Sequence, residues 1–480
     1  MAERIDCDVL IAGGGPTGVT LAALLAQRGI RVVVAEKEAE IYPLPRAAHL
    51  DHETIRILQE AGVADEVVAT SRRSARYDFL TAAGEILLRF EGSDRIGPGG
   101  WPAANMIHQP SVESALRRQL ATLPSAQLHS RWELTGWNEE GAGITATIST
   151  PEGPREVRAA WLIGADGARS PVRHAAGITF DDLGFEEPWL VIDMLVHDVS
   201  RLPEANLQIC DPARPTTCVL MGEGRHRWEF MILPGEAAED VASDASVQRL
   251  MQPWDVEGAV TLERKAVYTF RARIAQQWRK GRVLLAGDAA HQTPPFAGQG
   301  MCSGLRDAAN LAWKLAAIVR EGASEDLLDT YQTERARNLR ATIDMAVMMG
   351  RTVCITDPAA AAARDAQMLA ARAAGHSPDG TVDYPPMADG LILAGSAGAG
   401  SYFPQPVADE ARLDNVLGAG HWLIDRTALE IPELALFRDA LAGWLDAHGA
   451  EAVLVRPDRY VFGTGSADEL AESWEAALKA

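Results

Sequence analysis

Three segments of the chain share one pattern: a short apolar run, a glycine-containing turn, and a stretch that reads as a helix. In the first segment, Val9–Ala12 is the apolar run, residues 17–28 carry apolar residues at helical spacing, and residues 31–35 form a second, β-branched run. The second segment begins at Trp161, and the apolar run of the third ends at Ala286. Strands that alternate with helices in this way predict an α/β fold around a parallel sheet.

The third segment predicts a long helix after a loop with the sequence "GDAAHQTPPFAGQGM". Apolar residues recur on one face of this helix, namely Met301, Leu305, Ala308, Ala312, Leu315 and Val319. The spacing therefore predicts a helix with one buried face, whose first turn follows Gly298 and Gly300.

A different pattern occupies the chain between the second and third segments. "WEFMILP" and "AVYTFRAR" alternate apolar and polar residues, as strands with one buried face do. Near the C-terminus, residues 359–374 are rich in alanine and predict a helical connector, and a Pro/Gly/Asp loop follows through Gly390. "HWLIDR" and "EAVLVRPDRYVFG" then predict short strands, and Ser466 with Glu469 predicts the start of a terminal helix.

Length, charge and cysteine usage narrow the class of protein. A chain of 480 residues with 47% apolar residues predicts two or three domains with large cores. The net charge of −21 argues against a nucleic-acid or anionic-membrane surface. The five cysteines form no CxxC pair, which favours reduced thiols in the cytoplasm and no zinc site. Glycines and Pro16 interrupt the apolar residues 9–25, so these residues predict neither a signal peptide nor a membrane span.

The first turn has the spacing of a dinucleotide-binding fingerprint. Gly13, Gly15 and Gly18 fit G-x-G-x-x-G between a strand and a helix, and Glu36 closes the second strand. The helix N-terminus offers N–H groups to a pyrophosphate, and an acid at the end of the second strand can accept hydrogen bonds from ribose hydroxyls. Glu36 alone does not separate FAD from NAD.

The second and third turns carry an aspartate each. Asp166 and Gly167 follow the strand that begins at Trp161, and such a pair taken alone is usually only a turn. Asp288 lies just beyond the third strand, where it can bind polyol hydroxyls. Gly298 and Gly300 allow a backbone to approach a flat ring system at a helix N-terminus.

Taken together, the fingerprint with Glu36, the "GADG" turn and "GDAAH" resemble the FAD-dependent aromatic hydroxylases of the para-hydroxybenzoate hydroxylase type. Four further stretches are similar to the 3-(3-hydroxyphenyl)propionate hydroxylase branch: "LPRAAHLDHETIRILQEAGV", "NMIHQPSVESALRRQL", "CDPARPTT" and "RHRWEFMILPGE". The resemblance covers residues 5–350 well and the C-terminal part more loosely.

The resemblance implies a set of cofactor-binding residues. These are Gly13, Gly15, Pro16, Thr17, Gly18, Glu36, Lys37, Arg46, Gln109, Asp166, Gly167, Asp288, Pro295, Gly298, Gly300 and Met301. Within it, Arg46 would contact the flavin phosphate-ribityl region and the incoming nicotinamide, although a solvated loop arginine is the alternative. Pro295, Gly298, Gly300 and Met301 would flank the flavin and the oxygen site, and they are the catalytic candidates. For His291, orienting the turn is favoured over proton transfer.

The resemblance also implies the reaction and the partners. NADH or NADPH would reduce FAD, and a C4a-hydroperoxyflavin would hydroxylate a phenol ortho to its hydroxyl group, with O2 as the other substrate. The predicted phenol is 3-(3-hydroxyphenyl)propionate or a relative in aromatic catabolism. Arg214 and Arg227 are candidates to bind a substrate carboxylate and Tyr268 to lie near the phenol, with salt bridges and a buried structural tyrosine as the alternatives.

These features predict a discontinuous domain organisation. The FAD-binding domain comprises residues 1–78, 102–180 and 274–350, and the interleaved β-sheet substrate domain comprises 79–101 and 181–273. Residues 351–390 form the connector and loop. Residues 391–480 resemble a thioredoxin-like domain, which lacks redox cysteines because no cysteine follows Cys354.

Other functions fit less well. A disulfide reductase needs a redox cysteine pair in its flavin domain, and a flavin halogenase carries a WxWxIP stretch that this sequence lacks. A hydroxylase of polyketide-type aromatics shares the three motifs and remains the main alternative, followed by a flavin-binding protein without turnover. The sequence does not decide whether the protein forms a homodimer.

Overall fold

The computed structural model describes residues 4–43, 46–376 and 385–480. Leu44 and Pro45 of the "LPRAAH" stretch and residues 377–384 of the predicted loop therefore lie outside the described residues. Within the described ranges, no helix combines the length and apolar character that a membrane span requires.

A six-stranded sheet forms the core of the nucleotide-binding region. In spatial order its strands are Arg279–Lys280, Val283–Leu285, Trp161–Gly164, Val9–Ala12, Val32–Glu36 and Ala126–Ser130. All adjacent pairs are parallel except the first, which is antiparallel. The three apolar runs predicted as strands lie side by side in this sheet and are buried along their length, as expected for a parallel sheet covered on both faces. The predicted α/β fold is confirmed.

Helices cover this sheet and extend beyond it. They are Pro16–Gln27, His52–Glu60, Ala64–Thr70, Gln109–Leu120, Pro171–Ala175, Gly300–Ala316, Asp329–Val353 and Pro358–Ala373. A π-helical turn, Ala317–Glu321, continues Gly300–Ala316, and short 3-10 turns occur at Gly287–Ala289, Pro295–Ala297 and Glu325–Leu328.

The helix Gly300–Ala316 is buried on more than the one face that its apolar spacing predicts. Leu305 and Leu315 belong to the main core, as expected. Trp313 belongs instead to a second cluster, in which it packs with Trp474 of the C-terminal part. The sequence pattern did not reveal this second face, because the covering residues come from more than 100 positions later in the chain.

Two smaller sheets flank the nucleotide-binding core. The strands Arg4–Asp6, Arg155–Ala159, Gly143–Ser149 and Glu133–Glu140 form one, in that order. The strands His49–Asp51, Ala104–Met106 and Arg72–Arg73 form the other.

An eight-stranded sheet forms the second large region. In spatial order its strands are His291–Gln292, Val260–Ala275, Phe180–Val196, Arg225–Met231, Thr216–Met221, Asn206–Ile209, Arg76–Leu80 and Ile86–Glu91. The helices Ala238–Val241 and Asp244–Met251 and the 3-10 turns Val199–Arg201 and Gln252–Trp254 accompany it. Its strands come from separate parts of the chain, so the sheet is interleaved with the nucleotide-binding region as predicted.

The predicted domain boundaries cut through four continuous elements. The boundaries after residues 78, 180 and 273 fall inside the strands Arg76–Leu80, Phe180–Val196 and Val260–Ala275, and the boundary after residue 350 falls inside the helix Asp329–Val353. The division into domains itself stays a prediction.

The C-terminal part has its own small sheet. The antiparallel strands Trp422–Asp425, Ala452–Val455 and Val461–Gly465 form it, and a hairpin pairs Val407–Ala408 with Ala411–Arg412. Its helices are Leu413–Leu417, Arg438–Ala447 and Ala467–Lys479, with 3-10 turns at Ala428–Glu430 and Pro432–Phe437. The predicted cap of the last helix is confirmed, because Ser466 Oγ accepts from Glu469 N. The thioredoxin-like identity of this part stays a prediction.

Buried ion pairs join the C-terminal part to the nucleotide-binding region. Arg456 donates from Nη2 to Glu334 Oε2 at 2.7 Å, and Lys314 Nζ donates to the same oxygen at 2.7 Å. Burial lowers the pKa of Lys314 to about 8, although Glu334 opposes that shift. These contacts fix the C-terminal part against the long helix that follows the third motif.

Candidate active site

The first glycine turn is too tight for side chains at two of its three fingerprint positions. Gly13 has φ +106°, and a Cβ there would lie 2.3 Å from Ala165 O. A Cβ at Gly18 would lie 2.1 Å from Gly13 O. At Gly15, by contrast, no atom of the described residues would lie within 4 Å of a Cβ. This combination of two tight positions and one open position, at the start of the helix Pro16–Gln27, fits a turn that admits a pyrophosphate.

The acid at the end of the second strand is held against this turn. Gly14 N donates to Glu36 Oε2 at 2.6 Å, and Glu38 N donates to Glu36 Oε1 at 2.8 Å. Glu36 is buried, whereas the neighbouring Lys37 side chain is 63% exposed and lies 3.9 Å from Glu38 Oε1. The structure thus brings Glu36 to the fingerprint and leaves Lys37 at the surface.

The second motif lies beside the first because their strands are neighbours in the sheet. Val172 N donates to Asp166 Oδ2 at 2.9 Å, but Asp166 Oδ1 is buried without a hydrogen-bond partner in the part of the chain that is described. Burial raises the pKa of Asp166. Gly167 has φ +81° and open space around it. A buried carboxylate oxygen without a donor is a position that a ligand hydroxyl or water would satisfy.

The third motif contacts the first through Thr17. Cβ atoms at Gly287 and Gly304 would lie 2.7 and 2.3 Å from Thr17 Oγ1, so only glycines allow this approach. Asp288, on the turn Gly287–Ala289, is exposed. All three motifs therefore meet around the N-terminus of the first helix.

His291 has the orienting position that was favoured for it. It is 1% exposed, and its Nε2 lies 2.6 Å from Asp307 Oδ2. The same oxygen accepts from Gly287 N at 3.0 Å, and Arg335 Nε donates to Asp307 Oδ1 at 2.9 Å. Asp307 thus ties the third turn to two helices, and these charged and hydrogen-bonding partners lower its pKa against the effect of burial.

The catalytic candidates form the loop that precedes the helix Gly300–Ala316. Pro295 begins a 3-10 turn, and Gly298 ends that turn with φ +64°. A Cβ at Gly298 would lie 3.0 Å from His49 Nδ1, whereas the nearest atom to a Cβ at Gly300 would be 4.0 Å away. Met301 is half-buried in the first turn of the helix. The loop is therefore closed on the His49 side and open at the helix N-terminus.

Gln109 holds the backbone of the arginine loop. Its Oε1 accepts from Arg46 N at 3.1 Å and from Ala47 N at 2.8 Å. The Arg46 side chain is exposed, and its Cζ lies 5.8 Å from the centroid of the Tyr42 ring. Gln109 thus positions Arg46, while the guanidinium group of Arg46 faces solvent.

Both arginines proposed for a substrate carboxylate already have acidic partners. Arg214 forms a two-pronged ion pair with Glu236, with distances of 2.7 and 2.6 Å. Arg227, 4% exposed, donates to Asp193 Oδ1 at 2.7 Å and to Asp193 Oδ2 at 3.2 Å. Both arginines therefore form salt bridges in this structure, which is the alternative to carboxylate binding.

Arg227 and Tyr268 nevertheless lie on one face of the eight-stranded sheet, and this face carries further polar side chains. Along the strand Arg225–Met231, Trp228 and Phe230 face an apolar cluster, so Arg227 and Glu229 face the opposite way. Directly across from Arg227 and Glu229 stand Asp193 and Val191 on one neighbouring strand, and Val219 and Thr217 on the other. We call the face that carries Asp193, Arg227, Glu229, Thr217 and Tyr268 the polar face.

The polar face reaches the flavin-loop candidates through hydrogen bonds. Tyr77 OH donates to Phe296 O at 2.8 Å, next to Pro295 in that loop. Gln208 Nε2 donates to Tyr77 OH at 2.6 Å, and Thr217 Oγ1 donates to Gln208 Oε1 at 2.7 Å. Sequence reasoning missed this row, because no spacing signal links residues 77, 208 and 217. Strand alternation in the predicted strand that contains "WEFMILP" was the signal that could have placed Glu229 on the same face as Arg227.

Aromatic rings border the same region. Phe296 lies edge-on to Trp189 and to Phe270, with ring centroids 5.7 and 5.9 Å apart. Trp189 and Phe270 stack on each other. A mainly aromatic wall with a few placed polar groups is typical of a small-molecule site.

Burial and charge set the protonation of the polar face. Burial raises the pKa of Glu229 to about 7, partly opposed by Arg227 and Arg264 and reinforced by Asp193. Burial also raises the pKa of Tyr268, whose hydroxyl accepts a hydrogen bond from Arg264.

The chain matches two family models. A model described as an FAD binding domain matches residues 6–346, which include the three motifs and the eight-stranded sheet. A model described as an HcaD C-terminal domain matches residues 433–480.

Curated relatives are aromatic hydroxylases. The chain is 40% identical to the probable NADH-specific resorcinol 4-hydroxylase of Rhodococcus jostii (strain RHA1), covering 96% of this chain and 92% of the relative. It is 39% identical to the 3-(3-hydroxy-phenyl)propionate/3-hydroxycinnamic acid hydroxylase of Comamonas testosteroni, covering 78% of this chain and 63% of the relative.

Solved structures of similar fold include flavin enzymes. A ternary complex of aklavinone-11 hydroxylase with FAD and aklavinone is 27% identical, with a TM-score of 0.80 and full coverage of both chains. The p-nitrophenol 4-monooxygenase PnpA of Pseudomonas putida DLL-E4 is 27% identical, with a TM-score of 0.69, covering 77% of this chain and 94% of that one. With the tight glycine turn, the unsatisfied Asp166 oxygen and these relationships in agreement, this chain belongs to the FAD-binding family of flavin-dependent aromatic hydroxylases.

Proposed function

We propose that this protein hydroxylates a monocyclic phenol at the position ortho to a ring hydroxyl, with NADH as the electron donor. The observation that carries this proposal is the polar face, which meets the loop of Pro295 through the hydrogen bond from Tyr77 to Phe296. The name of the Rhodococcus relative supports NADH, and the names of both curated relatives support a single-ring phenol.

FAD would be held where the three motifs meet. The fingerprint glycines and the start of the helix Pro16–Gln27 would bind the pyrophosphate, Glu36 a ribose, and Asp288 the ribityl chain. Bound FAD supplies the redox chemistry, taking electrons from NADH and activating O2 for transfer to an electron-rich ring. Lys37 would stay at the surface of this site, as its exposure suggests.

The protein's own residues would orient the phenol and exclude water. Phe296, Trp189 and Phe270 would contact the ring, and the polar face would bind its hydroxyl group. Pro295, Gly298, Gly300 and Met301 would bring backbone close to the reacting edge of the flavin, because the loop is open at Gly300. Tyr268 would border the same space from the neighbouring strand.

Two phenols are the first to test. 3-(3-Hydroxyphenyl)propionate follows from the sequence motifs, and resorcinol follows from the Rhodococcus relative. A larger polyketide-type aromatic is the second candidate, supported by the full-length likeness to aklavinone-11 hydroxylase. A cytoplasmic location is also part of the proposal, because all five cysteines are free thiols.

The test is NADH and NADPH oxidation by the purified FAD-loaded protein, with and without each phenol, together with identification of the product and of any hydrogen peroxide. We expect one monocyclic phenol to stimulate NADH oxidation several-fold and to gain a hydroxyl ortho to an existing one. A yellow protein that hydroxylates neither phenol but accepts aklavinone-like compounds would contradict the monocyclic assignment.

The cofactor site has its own test, Asp288→Ala. Because Asp288 is exposed beside the first helix, we expect its loss to weaken FAD retention by about tenfold without unfolding the protein. FAD content after gel filtration measures this effect. Asp439→Ala, at an exposed position of a C-terminal helix, is the matched control. Equal FAD content in both variants would exclude Asp288 from the site.

A further inference from the structure

Glu229 occupies an unusual position on the polar face. It is 5% exposed, and among the described residues no donor forms a hydrogen bond with its carboxylate. The nearest cation is Arg227, whose Nη1 lies 3.7 Å from Glu229 Oε1, and Arg227 already binds Asp193 with two nitrogens. A buried carboxylate without a hydrogen-bond donor is costly unless a further group completes it.

The neighbours of Glu229 cannot supply that donor. Thr217 lies directly across from Glu229 on the adjacent strand, but its hydroxyl donates to Gln208. The Gln208 amide in turn donates to Tyr77, and Tyr77 donates to the backbone of Phe296. The row of hydrogen bonds therefore runs from Thr217 to the loop of Pro295, and Glu229 lies beside Thr217 without taking part in it.

Every arginine of the polar face is matched by acid. Arg227 binds Asp193, and Arg264 Nη1 lies 3.5 Å from Asp193 Oδ2 and also contacts Tyr268. With Glu229 included, two carboxylates, those of Asp193 and Glu229, lie beside the guanidinium groups of Arg227 and Arg264. Arg46 is the further cation near this region, and its side chain faces solvent. A ligand carboxylate placed here would compete with Asp193 and repel Glu229.

We propose that Glu229 accepts a hydrogen bond from a phenolic hydroxyl and thereby selects an uncharged polyhydroxylated ring over a phenol that carries a carboxylate. This inference rests on the proposed function and names the substrate class for the same site. The hydroxyl donates to the carboxylate, which increases the electron density of the ring at the ortho carbon. Glu229 is thus a specificity-determining residue, and the relevant class is a dihydroxybenzene.

The test compares ligand binding to the oxidised FAD-loaded protein, followed by flavin absorbance. Resorcinol and 3-(3-hydroxyphenyl)propionate are the two probes, and wild type, Glu229→Gln and Glu229→Asp are the proteins. Wild type should bind resorcinol more tightly. Glu229→Gln should weaken resorcinol binding by about tenfold or more, since a hydrogen bond to a charged group is lost, and should leave or improve binding of the propionate. Glu229→Asp, which retains the charge, should recover part of the resorcinol affinity.

The pH dependence adds a readout that a purely structural residue would not change. The groups that face Glu229 are Arg227 on its own strand, Asp193, Arg264 and Tyr77. Because burial raises the pKa of Glu229 to about 7, resorcinol affinity of the wild type should rise from pH 6 to pH 8 as the carboxyl ionises. The affinity of Glu229→Gln should stay flat over that range.

Glu263→Gln is the matched control, since Glu263 lies at the edge of the same sheet and pairs with Arg225 at 2.8 Å. FAD content and melting temperature verify the fold of each variant. Three results would each overturn the inference. Glu229→Gln could lose affinity for both ligands equally or for neither of them, or the wild type could bind the propionate more tightly than resorcinol. Failure of the wild type to bind or hydroxylate any single-ring phenol would instead refute the proposed function itself.

Discussion

The two faces of the eight-stranded sheet differ completely, although the same strands build both. On the strand Arg225–Met231, Trp228 and Phe230 enter an apolar cluster with Leu190 and Ile192, beneath the helices Ala238–Val241 and Asp244–Met251. Arg227 and Glu229 lie between these residues in sequence, and they are buried as well, but against charged and polar groups. Alternation thus separates a face that stabilises the sheet from a face that is available for chemistry.

The difference shows that burial alone does not identify a residue's role. Trp228 is fully buried because apolar side chains enclose it, and removing it from water is favourable. Glu229 is almost as buried, yet among the described residues its nearest cation, Arg227 Nη1, stays 3.7 Å from Oε1, beyond hydrogen-bond distance. Such a residue is retained at a cost to stability, which is the usual sign of a functional position.

The largest expected effect comes from the apolar face. Trp228→Ala should destabilise the protein by about 3 to 5 kcal/mol, because it removes a buried indole and leaves a cavity beside Trp254, whose ring centroid is 5.7 Å away. Thermal and urea unfolding measure the loss. Trp254→Ala, at a partly exposed ring of the same cluster, should cost less. A variant at position 228 as stable as the wild type would mean that this face is not the core of the sheet.

A somewhat smaller effect is expected on the polar face. Arg227→Met removes both hydrogen bonds from Arg227 to the buried Asp193, leaves Arg264 Nη1 at 3.5 Å from Asp193 Oδ2, and should cost about 3 kcal/mol. The double variant Arg227→Met with Asp193→Leu should recover most of that stability, because no buried charge remains unpaired. If the double variant is no more stable than the single one, the ion pair is not the reason for the loss.

The smallest effect is expected at the rim of the sheet. Arg214 and Glu236 form a partly exposed ion pair, with side chains 24% and 31% exposed. Arg214→Gln should therefore change stability by about 1 kcal/mol or less, and should leave the KM for a carboxylated and an uncharged phenol equally unaffected. Steady-state kinetics with both phenols provide the measurement. A selective rise in KM for the carboxylated phenol would restore Arg214 as its anchor.

The cofactor side of the molecule was predictable because its signals are local. Gly13, Gly15 and Gly18 lie within six positions, and the close approach of Gly18 to Gly13 O is a property of one strand–turn–helix unit. The close approach at Gly13 is to Ala165 O, beyond the neighbouring strand. Glu36 ends one strand and Asp166 follows another, and both strands pair in parallel with the central strand Val9–Ala12, so their carboxyl ends lie at one edge of the sheet. The strand pattern therefore carried the fold class and brought the three motifs together, and the binding of FAD there stays a prediction.

The substrate side was predictable only in part. Alternation identified the strand that contains Arg227, but the partner of Arg227 is Asp193, 34 positions earlier, and it stands opposite because of strand register. Tyr77 joins the row from a strand that is parallel to Asn206–Ile209 and more than 120 positions away. The sequence offered salt bridges as the alternative for both predicted carboxylate anchors, but it could not identify their partners, Glu236 and Asp193.

The sequence by itself determined the α/β fold, the three glycine-containing turns and the family of the chain, since glycine conformation and strand periodicity act within a few residues. Only the tertiary structure decided which buried charges neutralise one another, which face of the sheet meets the loop of Pro295, and that Glu229 lies beside the hydrogen-bonded row from Thr217 to Phe296. Those outcomes depend on strand register and on contacts between distant segments. Coulomb and hydrogen-bond energies depend on distances in space, which cannot be read from the order of residues alone.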